Sequence, residues 1–198
     1  IVINFSLQKA IMELLARGAE AVLYKGKNVV VKRRIKKGYR LKVIDEKLRK
    51  VRTRAEARLL RKARRHGINV PSVISEEGFV IKMEFLDGEL LRDALPSLSN
   101  AELKKIFTDI GEQVGNLHSA GLIHGDLTTS NMILCNGKVF FIDFGLAFSS
   151  TRVEDMAVDI HLLKQALFSK HALQAELCFK SFLKGYSAFS RSEEVLQR

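Results

Sequence analysis

Cysteine, proline and tryptophan are scarce in this chain of 198 residues, which has two Cys, two Pro and no Trp. Cys135 and Cys178 lie far apart, and neither belongs to a Cys-x-x-Cys pattern or stands beside a His. Two cysteines exclude a disulfide-rich scaffold, and their spacing argues against a structural zinc site. Reduced thiols are typical of cytosolic proteins, so the composition favours a cytoplasmic location.

Long hydrophobic runs are also missing, since no apolar stretch approaches the ~20 residues that span a bilayer. The opening residues Ile1-Val2-Ile3-Asn4-Phe5 have no basic segment ahead of an apolar core, so a signal peptide is not indicated. They also lack Met, which suggests that the chain is trimmed or continues from an upstream segment. With 46% hydrophobic residues the chain can bury a core, and its length predicts one compact domain or two small lobes.

Acidic residues are sparse between positions 32 and 65, where 17 of the 33 Lys and Arg residues stand with only three acids. The segment therefore has a net charge of +14, whereas the remaining 16 basic and 19 acidic residues give −3. One interpretation is a solvated helix face or an adaptation to heat, and the other is a surface for a polyanion such as RNA. Aromatic residues do not alternate with these cations, so base-specific reading is not indicated.

Hydrophobic periodicity and turn residues predict strands before helices along the chain. The order of strands, one helix, further strands and then mostly helices predicts an α+β fold, with an N-lobe over 1–86, a hinge at Asp87-Gly88 and a C-lobe over 87–198. The predicted helices cover 6–17 with Ser6 as N-cap, 46–66 with a stop at His66-Gly67, Ser99–Gly121 with a capping box to Glu102, 155–169 and 171–186, and the predicted strands cover 20–24, 28–32, 73–74, 79–83, 132–134 and 139–142.

The sharpest motif is His124-Gly-Asp-Leu-Thr-Thr-Ser-Asn131, followed by Ile142-Asp143-Phe144-Gly145. These two loops flank a predicted hairpin, whose ends lie together, so the side chains of Asp126, Asn131 and Asp143 should converge. Oxygen ligands of this kind suit Mg²⁺, which binds a few protein oxygens together with phosphate oxygens and water. The pattern is similar to the protein-kinase catalytic loop and DFG motif, which predicts that Asp126 is the catalytic acid/base and that Asn131 and Asp143 hold the metal.

A kinase site also needs a strand Lys, a helix Glu and an extended hinge. Lys32 ends the apolar strand Val29-Val30-Val31, and Glu56 is the only acid between Glu46 and Glu76. We expect Glu56 to have a buried cationic partner, the alternative being a solvated pair with Arg52 within the helix. Three further predictions follow the kinase pattern: Met83 as gatekeeper, the Glu84 C=O and Leu86 N–H facing adenine, and Asp159 bracing the catalytic loop, the alternative for Asp159 being an exposed helix acid.

Several parts of a typical protein kinase are missing. Gly18-Ala19-Glu20-Ala21 replaces the G-x-G-x-x-G loop, Gly125 replaces the catalytic-loop Arg, and Thr128 stands where protein kinases carry a Lys. No A-P-E triplet follows Gly145, so the platform for peptide substrates should be reduced or absent. A minimal bilobal kinase-like fold with a strand-rich N-lobe, one main helix and a reduced helical C-lobe is therefore predicted.

These departures form a pattern of their own. The chain resembles the small atypical, RIO-like kinase subunit of the KEOPS (EKC) complex over roughly residues 15–190. The residues that carry the resemblance are Arg17-Gly-Ala-Glu-Ala21, Thr53-Arg-Ala-Glu-Ala-Arg-Leu-Leu60, Gly67-x-x-Val70-Pro71, Met83-Glu84-Phe85-x-Asp87-Gly88 and His124-Gly-Asp-Leu-Thr-Thr-Ser-Asn131.

The resemblance implies an ATP- and Mg²⁺-dependent ATPase and Ser/Thr kinase, working in an assembly that makes threonylcarbamoyladenosine in tRNA. Implied partners are the ASKHA-fold threonylcarbamoyl transferase subunit, a small regulatory subunit at the N-lobe, and tRNA along the basic segment 32–65. The missing Met fits the kinase half of an archaeal transferase–kinase fusion. The implied ATP-binding residues are Gly18, Ala19, Glu20, Ala21, Lys32, Glu56, Glu84 and Leu86.

Three alternatives remain at this point. A small-molecule phosphotransferase of the aminoglycoside or choline kinase type also uses His-Gly-Asp, but it requires a longer helical C-lobe. A RIO-type ribosome-biogenesis kinase would carry an N-terminal winged helix. An RNA-binding pseudokinase scaffold would have a damaged metal site, whereas Lys32, Asp126, Asn131 and Asp143 are all present.

Overall fold

The computed structural model describes residues 12–198 and has the α+β architecture that the sequence predicts. Strands dominate its first part and helices its second. The strands are β1 (Glu13–Arg17), β2 (Ala21–Gly26), β3 (Val29–Arg34), β4 (Val73–Glu77), β5 (Val80–Glu84), β6 (Glu89–Leu90), β7 (Met132–Cys135) and β8 (Lys138–Phe141). The helices are α1 (Lys42–Arg65), α2 (Leu91–Ala94), α3 (Asn100–Ser119), α4 (Val153–Lys170), α5 (Ala175–Tyr186) and α6 (Ser192–Leu196), with 3₁₀ turns at Leu95–Ser97 and Thr129–Asn131.

The first sheet has the order β1-β2-β3-β5-β4 and is antiparallel throughout. Its central strand β3 places Lys32 opposite Leu23 of β2 and Ile81 of β5. Because side chains alternate between the two faces of a strand, Lys32 and Arg34 share one face and Arg33 lies on the other. Lys32 and Arg34 are buried, whereas Arg33 is exposed.

The prediction of a helix over residues 6–17 is wrong where the structure describes it. Residues Glu13–Arg17 form strand β1, which pairs with β2, and Leu14 and Leu15 are exposed instead of lining a buried helical stripe. Hydrogen bonds to β2 stabilise the strand, and local apolar spacing does not reveal that partner. Residues 6–11, including the predicted N-cap Ser6, lie outside the described residues.

Helix α1 begins four residues earlier than predicted, at Lys42. Asp45 lies in its first turn and is fully buried, where it accepts a hydrogen bond from the Lys37 backbone N–H and pairs with Arg49 at 2.7 Å. The loop before the helix therefore stabilises the extra turn. The predicted stop is confirmed: the helix ends at Arg65, and Gly67 has the positive φ of 77° that favours glycine.

Helix α3 packs against α5, and its predicted capping box is present: Glu102 N–H donates to the Ser99 hydroxyl, and the Glu102 carboxylate accepts from the Ser99 N–H. Apolar residues of α3 lie in one continuous core that also includes the last turns of α1. Helices α3 and α5 approach each other closely at two glycines. A Cβ at Gly111 would overlap the Phe182 carbonyl oxygen, and one at Gly185 would overlap the Thr108 carbonyl oxygen.

Strands β7 and β8 form the predicted hairpin, with Asn136 (φ 50°) and Gly137 (φ 73°) in its turn. Strand β6 pairs with β7 and completes a second, three-stranded sheet. The hairpin brings its two ends together, which places the segment before β7 beside the segment after β8. No helix among residues 12–198 is long and apolar enough to cross a membrane.

We predict that Gly185→Ala destabilises the protein even though Ala favours helices. The added Cβ must displace backbone at Thr108, so overpacking should lower the free energy of unfolding by about 1–3 kcal/mol. The control is Gly38→Ala, where no atom lies within 4 Å of the added Cβ. Urea denaturation measures both, and an unchanged midpoint for Gly185→Ala would contradict the close helix contact.

Candidate active site

The loop over residues 124–131, which is the predicted catalytic loop, holds Asp126 and Asn131 in direct contact. The Asn131 side-chain amide donates hydrogen bonds to the Asp126 carboxylate at 2.7 Å and to the Asp126 carbonyl oxygen at 2.9 Å. The Ile142 N–H donates to the Asn131 carbonyl oxygen at 2.9 Å, which joins this loop to the loop that carries Asp143. The two loops therefore lie side by side, as expected from the hairpin, and the Asp126 and Asn131 side chains meet.

His124 connects the same two loops. It is fully buried, its Nε2 donates to the Ile142 carbonyl oxygen at 3.1 Å, and its Nδ1 accepts from the Asp126 N–H at 3.3 Å. Burial lowers the pKa of His124, so its neutral form is favoured, and the neutral ring provides the one donor and one acceptor that these contacts require. The ring also contacts Phe144, with centroids 4.9 Å apart.

Asp159 of α4 holds the backbone of the predicted catalytic loop in place. Its carboxylate accepts hydrogen bonds from the backbone N–H groups of His124 at 2.6 Å and Gly125 at 2.8 Å. It is fully buried, so the predicted brace is confirmed and the alternative of an exposed helix acid is excluded. The Tyr186 hydroxyl and His118 Nδ1 share a hydrogen bond of 2.8 Å, and His118 Nε2 lies 3.5 Å from Asp159.

Lys32 joins the N-terminal sheet to both α1 and the second loop. Its ammonium group lies 2.6 Å from Glu56 and 2.7 Å from Asp143. The buried cationic partner expected for Glu56 is present, whereas the alternative partner Arg52 pairs with Glu20. Glu56 is 2% exposed, so its charge is stabilised by these contacts and not by water.

Arg34 is a residue that the sequence analysis missed. Its guanidinium group also pairs with Glu56, and it is 6% exposed. The result is a chain of alternating charges that runs from Arg34 through Glu56 and Lys32 to Asp143. Part of the signal was available, because Arg34 stands two residues after Lys32 and strand alternation puts both side chains on one face. The shared partner Glu56 is distant in sequence, so alternation does not reveal it.

Asp143 has the geometry of a strained functional residue. Its φ of 59° lies in the left-handed region, and its carboxylate accepts a hydrogen bond from the Gly145 N–H at 3.1 Å. Burial alone would raise the pKa of Asp143, but the Lys32 ammonium holds this pKa below its ordinary value. The carboxylate is therefore ionised at neutral pH and, with its side chain 51% exposed, is open to a cation from the cleft.

The segment predicted to cover the nucleotide is a tight turn between β1 and β2. The Gly18 N–H donates to the Ala21 carbonyl oxygen at 2.9 Å. The Glu20 side chain does not point to a free site, since it pairs with Lys37 at 3.1 Å and Arg52 at 3.2 Å. Lys37 also donates to the Ala19 carbonyl oxygen at 2.6 Å, so the turn is tied to the segment before α1 and to α1 itself.

The segment predicted to be the hinge begins at Glu84, the last residue of β5. The Glu84 carboxylate accepts hydrogen bonds from the Ser72 N–H at 3.1 Å and the Ser72 hydroxyl at 2.8 Å, so this side chain has a structural partner. Within residues 12–198, the Leu86 N–H has no hydrogen-bond acceptor. This free donor fits the predicted adenine contact. Met83, the predicted gatekeeper, is buried beside it.

Gly125 is required by the segment that follows Asp143. It has a φ of 76°, and a Cβ at this position would overlap the Leu146 carbonyl oxygen. The segment then pairs with the catalytic loop at the Ile123–Phe148 bridge and enters α4 at Val153. This short segment supports the expectation that the platform for peptide substrates is reduced.

The side-chain oxygens of Asn131 and Asp143 fit a magnesium–nucleotide complex better than a bare metal ion. Among the described residues no group of three or more His, Cys, Asp and Glu side chains could hold a metal by itself. Asn131 and Asp143 supply two oxygen donors, and the Asn131 amide oxygen has no other hydrogen-bond partner in the described part of the chain. Mg²⁺ held by few protein ligands completes its coordination with phosphate oxygens and water.

The fold matches known kinase structures. The Rio2 kinase from Chaetomium thermophilum, solved as an ADP/Mg²⁺-phosphoaspartate complex, superposes with a TM-score of 0.68 at 18% identity, covering 97% of this chain and 67% of that one. The family model described as the RIO domain matches residues 20–179. The chain belongs to the RIO domain family. Members of this family are atypical kinases.

Curated relatives of this RIO domain chain are more similar still. The KEOPS complex subunit Bud32 of Pyrococcus abyssi is 48% identical over 187 residues, which cover 88% of this chain and 85% of the relative. A probable bifunctional tRNA threonylcarbamoyladenosine biosynthesis protein of Methanosarcina barkeri is 43% identical, but the chain spans only 34% of its length. The resemblance found in the sequence is therefore confirmed at the level of the family.

We predict that Arg34→Met lowers kcat/KM for ATP by about tenfold, or ~1.4 kcal/mol. Glu56 would lose one of two cations and would draw Lys32 away from the nucleotide, so KM for ATP should rise. Arg33→Met is the control, because Arg33 lies on the opposite, exposed face of β3. Steady-state ATP turnover measures both variants, and equal KM values for them would show that Arg34 does not position Glu56.

Proposed function

We propose that the chain is a Mg²⁺-dependent ATP phosphotransferase and ATPase of the atypical Ser/Thr protein kinase type. The observation that carries this proposal is the meeting of three contacts in one cleft: Lys32 with Glu56, Lys32 with Asp143, and Asn131 with Asp126. A pseudokinase would lack part of this set. We also propose residues 1–86 and 87–198 as the two lobes that close on the nucleotide.

Each site residue has a role that follows from its chemistry. Lys32 binds the triphosphate and neutralises part of its charge, while Glu56 holds the Lys32 ammonium in place. Asn131 and Asp143 would hold the magnesium ion, which screens the phosphate charge during transfer. The Asp126 carboxylate orients the attacking hydroxyl or water and accepts its proton. The turn over Gly18, Ala19, Glu20 and Ala21 covers the phosphates, and the Glu84 C=O and Leu86 N–H bind adenine.

ATP hydrolysis is the favoured output. Thr128 replaces the Lys that assists transfer to proteins, and the path from the Phe148 bridge to α4 leaves little surface for a peptide. Water, in contrast, needs no docking surface. We therefore propose that protein phosphorylation is the minor activity and that ATP turnover drives a larger assembly.

The assembly is proposed from the relatives. The KEOPS subunit and the bifunctional tRNA threonylcarbamoyladenosine biosynthesis protein support a role in tRNA modification. The proposed location is the cytoplasm, and the proposed partner is the ASKHA-fold threonylcarbamoyl transferase subunit. This chain matches one third of a relative that is described as bifunctional, which supports a second activity beside this domain. The basic segment 32–65 supports contact with tRNA.

An exposed apolar stripe supports the second proposed partner, the small regulatory subunit at the N-lobe. Four apolar residues are spaced three or four positions apart from the N-cap of α1 into the helix. All four side chains are exposed: Leu41 by 74%, Ile44 by 50%, Leu48 by 37% and Val51 by 56%. A contiguous apolar surface of this kind is typical of a protein interface.

We predict that Asp126→Ala and Lys32→Ala each reduce ATP turnover by at least about 100-fold, since each removes a group that acts on the reacting phosphate or its acceptor. Binding to the transferase partner should persist. Asp109→Ala on α3 is the matched control. Turnover is measured with and without the transferase and tRNA, and wild-type rates in either site variant would refute the assigned role.

We predict that Leu48→Glu weakens binding of the small regulatory subunit by at least about tenfold, because it buries a charge in an apolar contact. Basal ATP turnover should not change. Leu173→Glu on the C-terminal half is the control, as Leu173 is 96% exposed. Calorimetric titration measures the affinity, and equal binding by the two variants would exclude this stripe as the docking site.

A further inference from the structure

The structure divides the cations of the basic segment into two sets. One set is used internally: Lys32 and Arg34 pair with Glu56, Arg49 pairs with Asp45, and Arg52 pairs with Glu20. These residues are committed to holding the nucleotide site and the start of α1. A polyanion surface is therefore expected among the remaining cations, of which Arg61 also pairs with Glu76.

The remaining cations of α1 include six that form one line, here named the basic stripe. At about 100° per residue, their spacing of three or four residues keeps them within roughly 80° of arc, opposite the buried face of the helix. All six residues are exposed. The line is about 27 Å long at the rise of an α-helix. Its members are Lys47, Lys50, Arg54, Arg58, Arg61 and Arg65.

The basic stripe is unfavourable for the isolated helix. Each member stands three or four residues from the next, and like charges at this spacing repel. A solvated helix face usually alternates acids with bases, whereas this line contains no acid of its own. Glu76 of β4 is the nearby acid: it pairs with Arg61, and Arg54 adds to the lowering of its pKa. Arg58 and Arg65 have no acidic partner among residues 12–198.

A groove runs beside the arginine half of the stripe. It is a cavity of about 770 Å³ between α1 and β4, and its lining includes the four stripe arginines, Ser72 and Glu76. Planar guanidinium groups donate paired hydrogen bonds that match phosphate oxygens. This half of α1 has no exposed large apolar residue, which separates it from the apolar stripe at the other end of the helix.

We propose that the basic stripe is a binding track for the phosphate backbone of RNA. This inference rests on the proposed function, which names RNA as a partner, and it assigns the contact to one helix face. The track contains no aromatic side chain on which bases could stack, so it should bind RNA with little sequence preference. A straight, cationic and non-apolar line suits a phosphate chain better than the apolar centre of a protein interface or the acyl region of a membrane.

The test compares two variants of the full chain that remove the same charge. The first is Arg54→Gln/Arg58→Gln/Arg65→Gln within the stripe, and the second is Lys104→Gln/Lys105→Gln/Lys138→Gln at exposed positions of the C-terminal half. The probes are a tRNA transcript and an RNA duplex of unrelated sequence. Affinity is measured between about 50 and 200 mM salt, because each lost phosphate contact removes about 0.7–0.9 from the logarithmic salt slope.

We expect the stripe variant to lose about 2–3 units of slope on both probes and at least about tenfold in affinity at 100 mM salt. The control variant should match the wild type. A third variant with Lys at the three stripe positions should restore the slope, which shows that folding is intact. Equal effects of the two Gln variants, or no effect of the first, would overturn the proposal.

Competition and turnover separate the remaining outcomes. If polyglutamate or phosphatidylserine vesicles displace the transcript as well as the RNA duplex does, the stripe is a site for acidic proteins or lipid and the proposal is wrong. ATP turnover without RNA should be equal in all variants. Absence of turnover in the wild type would refute the proposed enzymatic function, while the RNA measurements would still decide the track.

Discussion

The Lys32 ammonium lies between two carboxylates, and the rest of the structure depends on these two ion pairs. It binds Glu56 of the long helix and Asp143 of the loop after β8, while Arg34 adds a second cation to Glu56. A buried charge without a partner costs several kcal/mol, so each member of this chain keeps the next in place. The N-terminal sheet, α1 and the loop that carries Asp143 are therefore held in one arrangement.

A second set of contacts fixes the catalytic loop against the C-terminal helices. Asp159 accepts two backbone N–H groups of this loop, and the neutral His124 ring spans from the Asp126 N–H to the Ile142 carbonyl. One departure from typical protein kinases, Gly125, follows from the same geometry. Gly125 leaves room for the Leu146 carbonyl, which allows the segment after Asp143 to turn back at once and pair with Ile123. A short segment of this kind supports the proposal that ATP hydrolysis is the main activity.

The uneven charge of the chain has two separate physical uses. Cations of the N-terminal sheet, of the segment before α1 and of α1 itself pair with Glu20, Asp45 and Glu56, and these pairs shape the proposed nucleotide site. Cations on the outer side of α1 are largely unmatched and repel one another. Such repulsion lowers the stability of the helix, and a polyanion would relieve it. The same helix thus connects the proposed ATP site with the proposed RNA surface.

Local signals in the sequence were enough to determine the Ser99–Glu102 capping box, the helix stop at Gly67, the Asn136-Gly137 turn, and the spacing that brings Asp126, Asn131 and Asp143 together. Each depends on residues close in the chain or on a motif of fixed spacing. Tertiary contacts alone decided that Glu13–Arg17 is a strand, that Arg34 shares Glu56 with Lys32, and that Arg49 and Arg52 pair with Asp45 and Glu20. In these cases the stabilising partner is distant in sequence, and neither propensity nor periodicity encodes a distant partner.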